Sequence, residues 1–233
     1  MPDVKETALI VGVGGGLSAS VARLFARQGM SVVLAARDPD KLADLVAETG
    51  GGAYACDVVR PDDVNGLFAA VVKDFGPPNV VVYNPSLRSR GPIIELDPAA
   101  VEKALMVSCF GGFLVGQAAA RLMVEHGGGS IQFTGASASV KGYANSAPFA
   151  MGKFGLRGLA QSMARELAPK NIHVAHFVID GGIGHADDSR AAGRETDGLL
   201  DPDAIAETYL AIHRQHRSAW TWEIEVRPWV ETF

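Results

Sequence analysis

Residues 7–18 read TALIVGVGGGLS, and this stretch decides the fold. An apolar run rich in branched residues, 7–13, leads directly into Gly12-Val13-Gly14-Gly15-Gly16-Leu17-Ser18. From Leu17 the period changes: Leu17, Val21, Leu24 and Phe25 share one helical face in a segment that runs to residue 28. The stretch therefore reads as strand, glycine turn, helix. A turn at that junction needs residues without a Cβ, so that the backbone can bend sharply and approach a diphosphate. The helix N-terminus behind it supplies amide donors and a partial positive charge. A glycine motif alone says little, but in strand–turn–helix context it points to dinucleotide binding. Gly12, Gly14, Gly15, Gly16 and Leu17 are the candidate contacts.

The alternation continues outward from this unit. Strand-like runs occupy residues 31–36, 53–56, 79–83, 130–134, 172–178 and 221–226. Helical segments occupy 39–48, 61–75, 146–168 and 201–215. Residues 98–126 hold two helices, or one bent helix interrupted near Gly111 and Gly112. Apolar strands that alternate with helices predict a parallel sheet covered on both faces. Right-handed crossovers make it doubly wound. The expectation is an α/β chain of Rossmann type, with about seven strands in a single domain over residues 1–233. No segment has linker composition and no repeat is present. Residues 184–200 are mostly polar and are predicted to form a mobile substrate loop.

Composition narrows the function classes. The chain has 233 residues, 48% hydrophobic and 20% charged, as expected of a globular protein. Lys plus Arg is 21 and Asp plus Glu is 26, which gives a formal net charge of −5. A mildly acidic chain lacks the electrostatic footprint of a nucleic-acid binder. The two cysteines, Cys56 and Cys109, form no CxxC pair, so neither a disulfide framework nor a zinc site is expected. His173 and His176 alternate with apolar residues and read as ordinary strand residues, and no metal site is expected. No apolar run reaches the roughly 20 residues of a membrane helix. A cytoplasmic protein without membrane contact is the expectation.

Arg37 follows the second strand, where such sheets meet the ribose nearest the adenine. An acidic residue there accepts from a 2′-hydroxyl, whereas an arginine suits a 2′-phosphate. NADP is therefore favoured, with NAD as the second choice. The competing reading pairs Arg37 with Asp38 or Asp40 at the surface.

Over almost its whole length the sequence resembles the short-chain dehydrogenase/reductase family. The glycine loop is similar to the family's T-G-x-x-x-G-x-G, with Val11 for the Thr and Ser18 for the last Gly. Cys56-Asp57-Val58 resembles its adenine-contacting Asp-Val pair, which implies cofactor contacts at Asp57 and Val58. Asn84 is kept from its N-N-A-G strand end. Asp180-Gly181-Gly182-Ile183 stands where the family has Pro-Gly and a nicotinamide contact, implying roles for Gly181 and Ile183. The family's Tyr-x-x-x-Lys pair is represented by Phe149-Ala150-Met151-Gly152-Lys153. Four residues are about one helical turn, so positions 149 and 153 face the same way. The resemblance assigns Lys153 to the nicotinamide ribose, but the phenol that exchanges a proton is missing. The sequence looks most like a subgroup with phenylalanine at that position.

The other family residues also depart. The serine that meets the substrate carbonyl aligns with Ala136, one place from Ser137, and the proton-relay asparagine with Ser108. If reduction proceeds, another group must handle the proton. Tyr143 and Ser137 are the first candidates, and Tyr83, Ser139, Ser146 and His185 the others. Each also fits an ordinary core, capping or surface place. One reading is an NADP(H)-dependent oxidoreductase acting on an unidentified carbonyl or alcohol, with Lys153 kept and Phe149 for Tyr. The alternative is a nucleotide-binding sensor or scaffold that does no redox chemistry. A cofactor-free dehalogenase-like enzyme fits less well, because this chain keeps the glycines and loses the tyrosine. By resemblance a homodimer or homotetramer is implied, and Gly152, Gly155 and Gly158 permit close helix packing.

Overall fold

The computed structural model describes residues 5–185, 195 and 197–232. Seven parallel strands form one sheet: β1 (Thr7–Val11), β2 (Ser31–Ala36), β3 (Gly52–Ala55), β4 (Val80–Tyr83), β5 (Gly129–Thr134), β6 (Ile172–Ile179) and β7 (Glu223–Val226). Their order is β3-β2-β1-β4-β5-β6-β7. The chain builds outward from β1 to β3, then returns across β1 to start β4. Two crossovers leave β1 and β4 in opposite directions, and this opens a crevice at the carboxyl ends of those strands.

Among the described residues seven α-helices cover the sheet. These are α1 (Leu17–Arg27), α2 (Ala43–Thr49), α3 (Pro61–Phe75), α4 (Pro98–Leu105), α5 (Gly111–Glu125), α6 (Ala147–Leu167) and α7 (Pro202–His213). In β1 the period of two is plain. Ala8 and Ile10 enter one core with Leu24, Phe25 and Tyr209 from α1 and α7. Leu9 and Val11 enter the other with Phe68, Val115 and Leu156 from α3, α5 and α6. Start signals are local. Asp97 accepts from the amides of Ala99 and Ala100 at the start of α4, and Asp201 accepts from Asp203 at the start of α7. Both are followed by proline in the first turn, where its missing donor costs nothing.

The structure adjusts several boundaries. β1 stops at Val11 rather than Val13, because Gly12 turns to φ +83°. Residues 39–42 form a tight 3-10 turn before α2. Gly111 and Gly112 do not interrupt the middle helix. α4, a π-helical turn over Met106–Phe110 and α5 run on without a break. The glycines instead let α5 lie close on β4 and α6: a Cβ at Gly111 would stand 2.6 Å from the Tyr83 hydroxyl, and one at Gly112 would stand 2.5 Å from Leu156 of α6. This corrects the expectation of no membrane-length segment. Pro98–Glu125, which holds an 18-residue window of mean hydropathy 1.5, is long and apolar enough by length and composition to cross a bilayer, a test that the core helix of a globular protein also passes. Its Gly111, Gly112, Val115, Gly116, Ala119 and Met123 face is buried.

Gly12 is a tight point at the crevice. Its φ lies in the left-handed region, and a Cβ there would stand 2.6 Å from the backbone nitrogen of Pro85. For Gly12→Ala we expect about 3 kcal/mol of lost stability, from left-handed strain plus overpacking against backbone that cannot retreat. Urea unfolding checks this; a loss near zero would show that the loop shifts freely.

Candidate active site

Two adjoining cavities, about 560 and 630 Å³, lie across the crevice and share Gly12, Gly14, Asn84 and Ser86. The first is also lined by Gly15, Arg37, Asp57 and Val58, beside the buried Cys56. The second is also lined by Gly16, Leu17, Lys153, Gly181 and Ile183, with Phe149. The structure thus brings all the sequence-predicted cofactor residues to one continuous cleft. A phosphate-bearing ligand fits the middle of it. The first turn of α1 has neither a side-chain cap nor an acidic residue, and Leu17 and Ser18 line the cleft, so the amides that open the helix are left to a ligand. At Gly14 and Gly15 a Cβ would meet nothing within 4 Å; it would project into open space.

Ser18, a departure from the family's glycine, has a defined job. Its Oγ donates to the Gly12 carbonyl at 3.2 Å and accepts from Asn84 Nδ2 at 2.6 Å. The Asn84 backbone amide donates to the Val11 carbonyl at 3.0 Å. These bonds tie the glycine loop to the end of β4. At the far end of the cleft, Asp38 is paired with Lys41 at 2.9 Å, and Arg37 is exposed. Among the described residues no ion pair of Arg37 with Asp38 or Asp40 forms.

Lys153 is 2% exposed. Its Nζ donates to the Thr134 carbonyl at 2.6 Å, joining α6 to the end of β5. Burial, with a further push from Arg88, lowers its amine to about 7. Phe149 sits one helical turn earlier, and its ring centroid is 5.9 Å from Lys153 Nζ. On the same ring lies a residue the sequence reading did not single out. The guanidinium carbon of Arg88 is 4.3 Å from the Phe149 centroid. Arg88 lines the cavity with Lys153. Its only sequence signal is its place, four residues beyond Asn84 in the loop that leaves β4 over the cleft.

The candidate replacements for the phenol lie elsewhere. Ser137 opens a short 3-10 turn and does not line the cavity with Lys153; its carbonyl accepts from Val140 and Lys141. The side chain lining the cavity from this stretch is Ala136, which has no polar atom. Ser139 is fully buried, and its Oγ accepts from the Ala136 amide at 3.1 Å. Tyr143 is 45% exposed and lines a separate apolar groove with Met151 and Phe154. Tyr83 lies wholly inside the core and donates to the Val107 carbonyl, and burial drives its phenol far upward. Ser108 is buried and accepts from the Leu87 amide at 3.3 Å. Ser146 does not line the cavity either, whereas His185 does. The proposed substrate loop, 184–200, falls mostly outside the described residues.

Behind the site, His176 is fully buried and contacts Glu223 at 3.1 Å through Nδ1. Burial lowers it to about 4 despite that neighbour. Glu223 also takes a two-pronged contact from Arg157, at 2.6 and 2.8 Å. His173 stacks on Trp220 with centroids 4.8 Å apart. Asp180, next to Gly181, is held by Arg227 at 2.6 Å. Among the described residues no group of three or more His, Cys, Asp or Glu could hold a metal ion.

Comparison with known proteins follows the same outline. The family described as short chain dehydrogenase matches residues 6–186. The human 3-oxoacyl-[acyl-carrier-protein] reductase is 29% identical over 186 residues, which cover 79% of this chain and 78% of that protein. The 3-oxoacyl-[acyl-carrier-protein] reductase MabA of Mycobacterium tuberculosis is 31% identical over 182 residues, 78% of this chain and 71% of that protein. Among solved structures, a short-chain dehydrogenase from Rhodopseudomonas palustris superposes with TM-score 0.83 at 38% identity, covering 96% of this chain and 99% of the other. A metagenomic short-chain oxidoreductase in complex with NADP superposes with TM-score 0.83 at 27% identity, covering 96% and 97%. With its doubly wound sheet, glycine turn and buried Lys153 in one cleft, the chain belongs to the short-chain dehydrogenase family.

Proposed function

We propose that this chain is an NADP(H)-dependent oxidoreductase for a carbonyl or alcohol, with Lys153 rather than a phenol carrying the proton, in a branch of the family that has phenylalanine at position 149. One observation carries the reading: the glycine turn, Arg37 and the buried amine of Lys153 line one continuous cleft. The NADP complex of a 27% identical structure supports the same coenzyme here. Arg37 favours the 2′-phosphate, because the nearby carboxylate of Asp38 is engaged by Lys41.

When bound, the coenzyme supplies or accepts the hydride. The chain does the rest. The α1 amides and the glycine turn hold the diphosphate. Phe149, 8% exposed, closes one wall and gives no proton. Lys153 Nζ, lowered to about 7, is near half-protonated at neutral pH and can give a proton to an oxygen or take one back. The alternative, a nucleotide binder without turnover, is favoured by one fact: neither Tyr143, Tyr83 nor Ser137 lines the cavity with Lys153.

Fluorescence titration with NADPH and NADH tests the coenzyme. We expect NADPH to bind more tightly, and Arg37→Ala to weaken NADPH alone by about tenfold, the worth of one charged hydrogen bond. An unchanged ratio would remove the phosphate contact. NADPH oxidation across a carbonyl panel separates the two readings. Under the enzyme reading Phe149→Tyr raises kcat by roughly 10²-fold, the scale of a positioned acid. Turnover absent in wild type and appearing only in Phe149→Tyr would favour the binding role.

Lys153 also makes a stability test with a definite sign. The unfolded chain keeps this amine protonated up to its ordinary 10.5, and the folded chain only up to about 7. Between those values the unfolded state holds more protons, so folding stability rises with pH. The cost of burying the charge is therefore greatest below pH 7. Lys153→Met should gain most over wild type there, with the gain shrinking as pH climbs toward 10.5. Urea unfolding across that range checks it; a pH-independent difference would refute the buried-amine assignment.

A further inference from the structure

We propose that Asp180 is a positioning residue for the nicotinamide end of the cleft: its buried carboxylate ties together three segments that leave the sheet there, and so fixes the wall made by Gly181, Gly182 and Ile183. This rests on the reading of the cleft as a coenzyme site. The three wall residues line the cavity that holds Lys153, and Asp180 is not among its described lining residues. The carboxylate therefore acts through its neighbours. Two of the three wall residues are glycines, which have no side chain to anchor them and lose the most freedom when ordered. The anchor has to come from beside them.

Asp180 directly follows β6 and is buried. Arg227, the residue after β7, donates to its Oδ2 at 2.6 Å. Lys141, from the turn that follows β5, places Nζ 3.7 Å from its Oδ1. The same turn begins at Ala136, which lines the cavity. Each oxygen of one carboxylate thus faces a cation from a different segment. A carboxylate taken out of water holds its place only when such partners meet it. Arg227 is steadied in turn by Glu225 at 2.8 Å.

Backbone bonds complete the clamp on both edges of the wall. On one edge the Asp180 amide donates to the Val226 carbonyl at 2.9 Å. The segment after β7 packs so closely there that a Cβ at Gly181 would stand 2.7 Å from Pro228. On the other edge the Leu200 amide donates to the Gly182 carbonyl at 2.9 Å, and the Gly184 amide to the Leu200 carbonyl at 2.8 Å. A wall ordered in advance spares a ligand the cost of ordering it, so its rigidity is felt as affinity for whatever lies against it. Neutralising Asp180 would leave Arg227 and Lys141 facing one another without the charge that joins them, and the wall would loosen. The adenine end of the cleft, lined by Arg37, would not feel the change.

The experiment titrates the full chain by calorimetry with NADPH and with adenosine 2′,5′-bisphosphate, a fragment that lacks the nicotinamide half. We expect wild type to bind NADPH more tightly than the fragment. Asp180→Asn should lower that ratio roughly fivefold, the scale on which residues without ligand contact alter binding, with the fragment's own affinity unchanged. Arg227→Gln should lower it similarly, and the double variant should be no worse than either single one, because both break the same link. Lys141→Gln, at a half-exposed partner, should lower it by about twofold and decides the matter if Asp180→Asn does not fold. Hydrogen exchange at the Gly184 and Leu200 amides, followed by NMR without ligand, should quicken in Asp180→Asn. An unchanged ratio, equal losses for NADPH and the fragment, additive losses in the double variant, or a wild type that binds both ligands equally overturns the proposal and leaves the coenzyme reading standing. So does a lowered ratio with unchanged exchange, which would put the carboxylate in direct contact with the coenzyme. Failure of wild type to bind either ligand overturns both.

Discussion

The bond from Lys153 Nζ to the Thr134 carbonyl couples both helix layers to the end of the sheet. An amine taken out of water needs a partner, and the last carbonyl of β5 provides it. Thr134 is held in turn from the other layer: its hydroxyl contacts the Tyr209 hydroxyl of α7 at 2.8 Å. Tyr209 stacks on Phe177 of β6 with centroids 3.8 Å apart, and its carbonyl accepts from Gln132 of β5. One polar chain therefore runs from α6 through the sheet to α7. Its members are buried, so a shift at either helix would strand a donor or acceptor away from water. That constraint places the amine at the cleft and keeps it there.

The other half of the cleft follows from topology. A parallel sheet that changes direction beside β1 must leave a gap at its carboxyl edge. Glycines line that gap because the chain has to turn at Gly12 and yet keep the α1 amides within reach of a ligand. Ser18 shows how little of this needs a fixed sequence. A family glycine is lost, and the hydroxyl that replaces it bonds both the loop and Asn84. The loop is tied more firmly, and the amides of the first turn still face outward.

The parallel sheet and its seven strands were legible because apolar periods of two and of 3.6 alternate without a gap. Boundaries were less so, since Gly111 and Gly112 read as a break when their true reason is the approach of Tyr83 and Leu156. That reason is tertiary and leaves no local mark. The same divide runs through the site. Lys153 and Phe149 were legible as a pair because one helical turn separates them. Arg88 was not, because its contact spans from residue 88 to residue 149 and arises only when the β4 loop folds over α6. Tyr143 misleads for the converse reason. It is close to Phe149 in sequence, but it precedes α6, and its ring faces an apolar groove with Met151 and Phe154.

Replacing a phenol by a phenyl ring changes more than one proton. In the family's Tyr-x-x-x-Lys pair the oxygen is the acidic group nearest the ammonium. Here Lys153 bonds a carbonyl and faces a ring without oxygen, and that ring carries a second cation. The amine is lowered to about 7 because burial and Arg88 both disfavour its charge and no carboxylate offsets them. With a hydroxyl on the ring, the phenol would exchange the proton and the lysine would only have to hold it acidic. Without the hydroxyl the lowering is useful: an amine that titrates near neutrality can itself exchange the proton. The loss at position 149 and the shift at position 153 are therefore two sides of one electrostatic arrangement, completed by Arg88.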